Sequence, residues 1–240
     1  MNTDRSAVAL HEISAGYRNR PVLHGITAEV PRGGITAIVG PNGSGKSTLL
    51  DVVAGVLAPS GGAVRLADRS RPALVPQRSA VSDALPLAVR DAVAMGRWSA
   101  RGPWRRLTRA DRAIVDDCLE RLDIADLADR QLGALSGGQR QRALVAQGLA
   151  QEAGLLLLDE PGAGLDLEAQ QRINAVLEDV AARGTTVVHV THDLAEAMRA
   201  RHCLLLRDGR LAAAGPPGTA LHPELVQEVW SLTLTRSGDV

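Results

Sequence analysis

The sequence predicts an α/β fold in which buried strands deliver polar residues to one edge of a sheet, with an antiparallel β region at the N-terminus and a helical subdomain inserted partway. Three observations carry the prediction. Apolar runs at residues 35–39, 155–158 and 185–190 lack the polar alternation of a half-exposed strand, so they read as strands covered on both faces. Short strands at 8–13, 22–24 and 26–30, separated by Gly16, Pro21 and the Pro31-Arg32-Gly33-Gly34 cluster, form the β region ahead of the first run. From about residue 87 to 147 the apolar spacing turns helical, with no convincing strand. The core then comprises residues 1–86 and 148–215, the helical subdomain 87–147 and a C-terminal tail 216–240.

The first buried run leads into Gly40-Pro41-Asn42-Gly43-Ser44-Gly45-Lys46-Ser47-Thr48, which fits G-x-x-x-x-G-K-[ST] and reads as a phosphate-binding loop. Glycines let the backbone wrap closely round a triphosphate, so that main-chain N–H groups and the start of the next helix point at its oxygens. Lys46 adds a point charge and Ser47 offers a hydroxyl to Mg2+. Of the chain's 27 Lys and Arg residues, Lys46 is the only lysine. A compact ammonium fits a tight loop where the broad guanidinium fork does not.

The other elements follow in order. Tyr17, in the first polar turn, is a candidate platform for an adenine ring. After the loop, a helix over 48–53 stops at Gly55, and strands at 64–66 and 74–75 follow, the second running into Gln77. An amide at a strand's C-terminal end sits where ligands gather in open α/β sheets, within reach of Mg2+ or a water. Thr108-Arg109-Ala110-Asp111 resembles a capping box with Asp in place of Glu, and the residues from Arg101 to Arg106 with Trp98 and Trp104 are a candidate partner surface. Ser136 is a natural N-cap for a helix over 140–150, with Gly137, Gly138 and Gln139 baring a second anion-seeking helix start. The run at 155–158 ends in Asp159-Glu160: Asp159 suits Mg2+ coordination and Glu160 suits polarising an attacking water. The strand over 185–190 ends at His192, whose imidazole can donate to a γ-phosphate, whereas His189 inside the strand reads as a packed core residue. Asp208-Gly209 between two strands signals a hairpin, and a helical tail with Trp230 closes the chain.

Composition excludes several classes. The formal net charge is +0 over 240 residues, so there is no global basic field to drive nucleic-acid binding. Cys118 and Cys203 match no metal or redox spacing and read as buried apolar residues in a reducing compartment. No apolar run reaches the length of a membrane span, and residues 1–5 lead into a short strand, so the chain is expected to be soluble, cytosolic and unanchored by itself.

Taken together, the loop at residues 40–48, Gln77, the stretch 135–139, the stretch 155–160, Gly162-Ala163-Gly164-Leu165-Asp166 and His192 resemble the ATP-binding-cassette ATPases in order and spacing over nearly the whole chain. The resemblance implies a P-loop NTPase (RecA-like) core, with ATP and Mg2+ as cofactors. It implies that Tyr17 stacks adenine, that Lys46, Ser47 and Thr48 hold phosphates and Mg2+, that Gln77 couples to a membrane partner, and that Asp159 binds Mg2+. Glu160 would be the base and His192 the γ-phosphate sensor. Ser136, Gly137, Gly138 and Gln139 would close over ATP held by a second protomer. Permease subunits in the membrane are implied as direct partners and a solute-binding protein as an indirect one, with the chain peripheral at the inner face of the cell membrane and no nucleic acid bound. At Gly164 the chain departs from the usual Ala.

Chromosome-maintenance ATPases share the Ser-Gly-Gly-Gln feature but resemble this family with a long coiled coil between the halves, and no sustained heptads occur here. Ribosome-acting relatives carry two cassettes in one chain, and P-loop kinases lack the second glycine motif. Within the transport ATPases, the stretches 85–98, 105–112 and 127–131 look like the zinc and manganese importers. An importer of iron-siderophore or cobalamin is the alternative, on a similar Val-x-Asp-x-Val-x-x-Gly-Arg stretch.

Overall fold

The computed structural model describes residues 6–236 apart from 18–19, 69, 78–85 and 103. The expected lead-in at 1–5 and Leu85 at the start of the importer-like stretch lie outside the described residues. Among the described residues nine strands form two sheets. β1 (Ser6–Tyr17) and β2 (Arg20–Pro31) pair with each other, and β1 also pairs with β4 (Gly61–Leu66), in an antiparallel sheet of order β2-β1-β4, once β3 (Gly34–Val39) has left for the second sheet. That second sheet adds β5 (Ala73–Val75), β6 (Leu155–Asp159), β7 (Thr186–Val190), β8 (His202–Arg207) and β9 (Arg210–Gly215) in the order β5-β6-β7-β3-β8-β9. All of its pairings are parallel except β8–β9, a hairpin turning at Asp208 (φ 46) and Gly209 (φ 72).

The N-terminal β region differs from the expected string of short strands. β1 and β2 each run for 12 residues, and their register slips between Leu10 and Ile13 and again beyond Ile13. Gly25, which lies between the expected strands at 22–24 and 26–30, takes φ 64 within β2. A glycine at positive φ absorbs an irregularity inside a continuing strand as readily as it ends one. Tyr17 accordingly lies on the last residue of β1, paired with Arg20, and not in a free turn.

The helices cover the sheet according to strand alternation. α1 (Lys46–Ala54) fills the space between the two sheets, where Leu49, Leu50 and Val53 meet Leu10, Ile13 and Ile26 from one side and Leu157 and Val188 from the other. The helical stretch holds α2 (Val89–Ala94), α3 (Trp98–Arg101), α4 (Arg109–Arg121) and α5 (Gly137–Leu149), followed after β6 by α6 (Leu167–Ala182). Val89, Leu119, Leu144, Val145 and Ile173 from these helices pack with Leu156, Leu158 and Val187, the alternate residues of β6 and β7. A third cluster joins α7 (Leu194–Met198), α8 (Pro217–Ala220) and α9 (Pro223–Arg236) to β3 and β8 through Ala197, Ala220, Leu221 and Val229. Cys118 and Cys203 are buried free thiols, and burial pushes them up to about 12 and about 11.

One polar cluster ties the helical part together. Arg97 and Asp111 are both buried; the guanidinium Nε donates to Asp111 Oδ1 at 3.1 Å while Nη1 donates to the carbonyl of Ala150 and to Glu152, each at 2.8 Å. Asp111 also completes the expected capping box with Thr108 at the start of α4 and pairs with Arg101 at 3.1 Å. Arg97, Arg101 and Thr108 thus meet at one buried carboxylate, and Arg97 links it to the end of α5.

Candidate active site

Gly40 follows β3 where no side chain fits: a Cβ there would lie 2.2 Å from the carbonyl oxygen of Leu206 and 2.7 Å from Ser44 Oγ. Gly45 precedes α1 at φ 96, with Leu23 crowding the place of its Cβ at 2.6 Å. These contacts hold the loop in a tight arch over the start of α1, whose first N–H groups have no intrahelical partner. Lys46 is only 6% exposed and points back into the arch, where Nζ donates to the carbonyls of Gly40 and Pro41 at 2.9 Å each. Burial lowers its pKa, against the opposing pull of Glu160 and Asp159. Ser44 Oγ is buried without a protein hydrogen-bond partner, an orphan donor that an anion in the arch would satisfy.

The carboxylates arrive from β6. Asp159, its last residue, accepts from Ser47 Oγ at 3.1 Å, and burial raises its pKa although that hydrogen bond lowers it. Glu160 follows at φ 47, a left-handed conformation costly for a non-glycine residue and recurrent at functional sites. Its two oxygens are engaged from neighbouring strand ends. Gln77, just beyond β5, donates through Nε2 to Glu160 Oε2 at 3.3 Å, and His192, just beyond β7, brings Nδ1 to 3.9 Å from Oε1. Four parallel strands therefore deliver the loop, Gln77, the two acids and His192 to one edge, because C-terminal ends of parallel strands share a side. A cleft of about 210 Å3 opens beside them, lined by Glu160, Gly162, Gly164, Thr191, His192 and Glu196. Gly164 sits at φ 67, where an Ala would be strained.

The remaining sequence candidates fall in two places. Tyr17 is half-exposed and its hydroxyl donates to Asp51 Oδ2 at 2.7 Å. Asp51 escaped the sequence reading, although it lies four residues after Ser47 and so on the same face of α1. Ser136, Gly138 and Gln139 line a second cleft of about 200 Å3 with Arg142, Asp166 and Arg172. There Ser136 Oγ accepts from the N–H of Gln139 at 3.3 Å and Gln139 Oε1 accepts from the N–H of Ser136 at 3.0 Å, a complete capping box. The two clefts have no lining residue in common, so the second glycine motif stands apart from the cleft beside Glu160 and His192. For a divalent cation, Ser47, Asp159 and the Gln77 amide offer only hard oxygen donors, a set that suits Mg2+. Among the described residues no group of three or more His, Cys, Asp and Glu could hold a metal ion.

A family model described as ABC transporter matches residues 23–163. The chain is 43% identical over 225 residues to the hemin import ATP-binding protein HmuV of Streptomyces coelicolor, covering 88% of this chain and 78% of that one. It is 37% identical over 230 residues to the zinc transport system ATP-binding protein TroB of Treponema pallidum, covering 93% and 86%. Among solved structures, one described as an inward-facing metal-chelate type ABC transporter superposes with a TM-score of 0.84 at 31% identity over 94% of this chain and 89% of that one. A match over more than half of the chain and likeness along nearly all of it settle the membership: the chain belongs to the ABC transporter family, as one of its ATPase subunits.

Proposed function

We propose that this chain hydrolyses ATP to power an importer of Zn2+ or Mn2+. The observation that carries the catalytic part is the double engagement of Glu160, whose oxygens face Gln77 and His192 from the neighbouring strand ends. The loop arch, Lys46 and Thr48 bind the triphosphate, with Tyr17 against the adenine. Glu160 accepts a proton from the attacking water, oriented by Gln77, while His192 donates to the γ-phosphate. Ser47, Asp159 and Gln77 would hold Mg2+, which when bound neutralises charge on the phosphates. Lys46 must exchange its loop carbonyls for phosphate oxygens, an exchange between hydrogen-bond acceptors within one pocket.

The second cleft, which shares no lining residue with the first, supports a head-to-tail pair of protomers, each covering the other's ATP with Ser136, Gly137, Gly138 and Gln139. The permease is met through the segment 78–104 that follows Gln77. Its residues 78–85 and 103 lie outside the described residues, while the described part carries the half-exposed Trp98 and Trp104, which is 95% exposed. Among the described residues no helix is long and apolar enough to cross a membrane, which supports a peripheral, cytoplasmic place beneath that permease. Cargo recognition then belongs to the permease and a solute-binding protein.

The zinc reading leans on the stretches 85–98, 105–112 and 127–131 and on the zinc-transport relative. A metal chelate is the second reading, favoured by the hemin-import relative and the metal-chelate type structure. Uptake of labelled Zn2+ and Mn2+ by a strain lacking this protein decides between them. Loss of uptake, with growth in chelated medium restored by either ion, is expected. Normal uptake of both ions together with a growth defect relieved only by hemin, ferric siderophore or cobalamin would transfer the assignment to chelate import.

A further inference from the structure

His189 is packed, as expected, in the centre of the parallel sheet, where it is a buried ionisable side chain. It is 3% exposed within β7, a strand whose other residues are Thr186, Val187, Val188 and Val190, and neither ring nitrogen has a protein hydrogen-bond partner. Its Nδ1 lies 3.7 Å from Oε1 of Glu196 on α7, an oxygen that is likewise buried and unpartnered. The other charged groups at the adjoining cavity, Glu178 and Arg199, hold each other at 2.8 Å. That leaves imidazole and carboxylate as each other's natural partner, since a buried polar group without one is costly. Burial keeps the imidazole's pKa low although Glu196 opposes this, so the ring is neutral with one N–H to donate.

Glu196 carries the contact onward. Its Oε2 accepts from the buried Thr191 hydroxyl at 2.6 Å, and Thr191 Oγ1 accepts from the N–H of Asp193 at 3.1 Å. Between those two residues stands His192, exposed, with its ring Nδ1 3.9 Å from Glu160 Oε1. Glu196 also lines the cleft beside Glu160 and His192. We propose that His189 is a positioning residue for ATP hydrolysis, holding Glu196 so that the Glu196–Thr191–Asp193 chain fixes the turn that presents His192 to the reacting phosphate. The proposal rests on the hydrolytic reading of that cleft.

Steady-state ATPase kinetics of the full chain test it. His189→Leu and Glu196→Ala are each expected to lower kcat roughly tenfold or more, the scale of a displaced catalytic group, with KM for ATP within about twofold of the parent. The double variant should be no worse than either single one. His189→Gln, which keeps a donor, should recover most of kcat. The proposal is overturned if His189→Leu keeps kcat within twofold, if the two single losses multiply, or if His189→Gln is as slow as His189→Leu. Should His189→Leu fail to fold, the comparison of His189→Gln and Thr191→Val decides: Thr191→Val must lower kcat without raising KM while His189→Gln stays near the parent, and any other pattern rejects the chain of contacts. A parent protein without Mg2+-dependent ATPase activity would instead sink the hydrolytic reading itself.

Discussion

Lys46 is the residue on which the proposed nucleotide binding turns. Its ammonium already sits inside the loop arch on two carbonyls, and no other lysine exists to replace it. Lys46→Ala is expected to abolish measurable ATP binding in a calorimetric titration, and unchanged affinity would contradict the assignment. The parent protein at about a hundred times its dissociation constant should gain about 2.7 kcal/mol from ATP, seen as a melting shift that the variant lacks. Motif residues such as this one were legible in the sequence because loop chemistry is local. The pairs that hold them were not: Tyr17 meets Asp51 across 34 residues and Gln77 meets Glu160 across 83, separations that no spacing rule connects.

Among the elements, the join between α4 and α5 is the one whose stability can be tested cleanly. Removing the Arg97 side chain leaves Asp111 buried with part of its counter-charge gone and frees the last carbonyl of α5. Arg97→Met should lower the melting temperature by roughly 10 °C at pH 7. Hydrogen bonds from Thr108, aided by Arg97 and Arg101, hold the Asp111 carboxyl well below the usual carboxylate range. The unfolded chain therefore takes up that proton first, and the stabilisation is complete above a pH of about 4 and declines as pH falls below it. The melting deficit of Asp111→Asn should accordingly narrow on acidification, and a deficit independent of pH between 7 and 3 would contradict this account. Buried strands and capped helices could be read from pattern because a strand covered on both faces and a helix start each have a sequence signature. The continuity of β1 and β2 could not, since the same glycine serves a break or a bulge and only the partner strand decides which.

At the scale of the molecule, the separation of the two clefts predicts the assembly. Glu160→Gln should bind ATP but hydrolyse it about 100- to 10,000-fold more slowly, so the closed pair accumulates. Light scattering after gel filtration should find a dimer with Mg-ATP and a monomer without it, and a monomer at saturating nucleotide and high protein concentration would rule out the shared site. The fold class and the two glycine motifs were legible because each is a contiguous signature. The separation of the two clefts was not, because it depends on how α5 and α6 pack on the sheet. The solitary lysine has a consequence of another kind. With a single side-chain amine in 240 residues, and that one tucked beneath the phosphate loop, an amine-selective reagent finds almost nothing on the surface to modify. Acylation at Lys46 then reports only those chains whose loop has opened far enough to release the ammonium from its two carbonyls, a gauge of loop opening that needs no engineered probe.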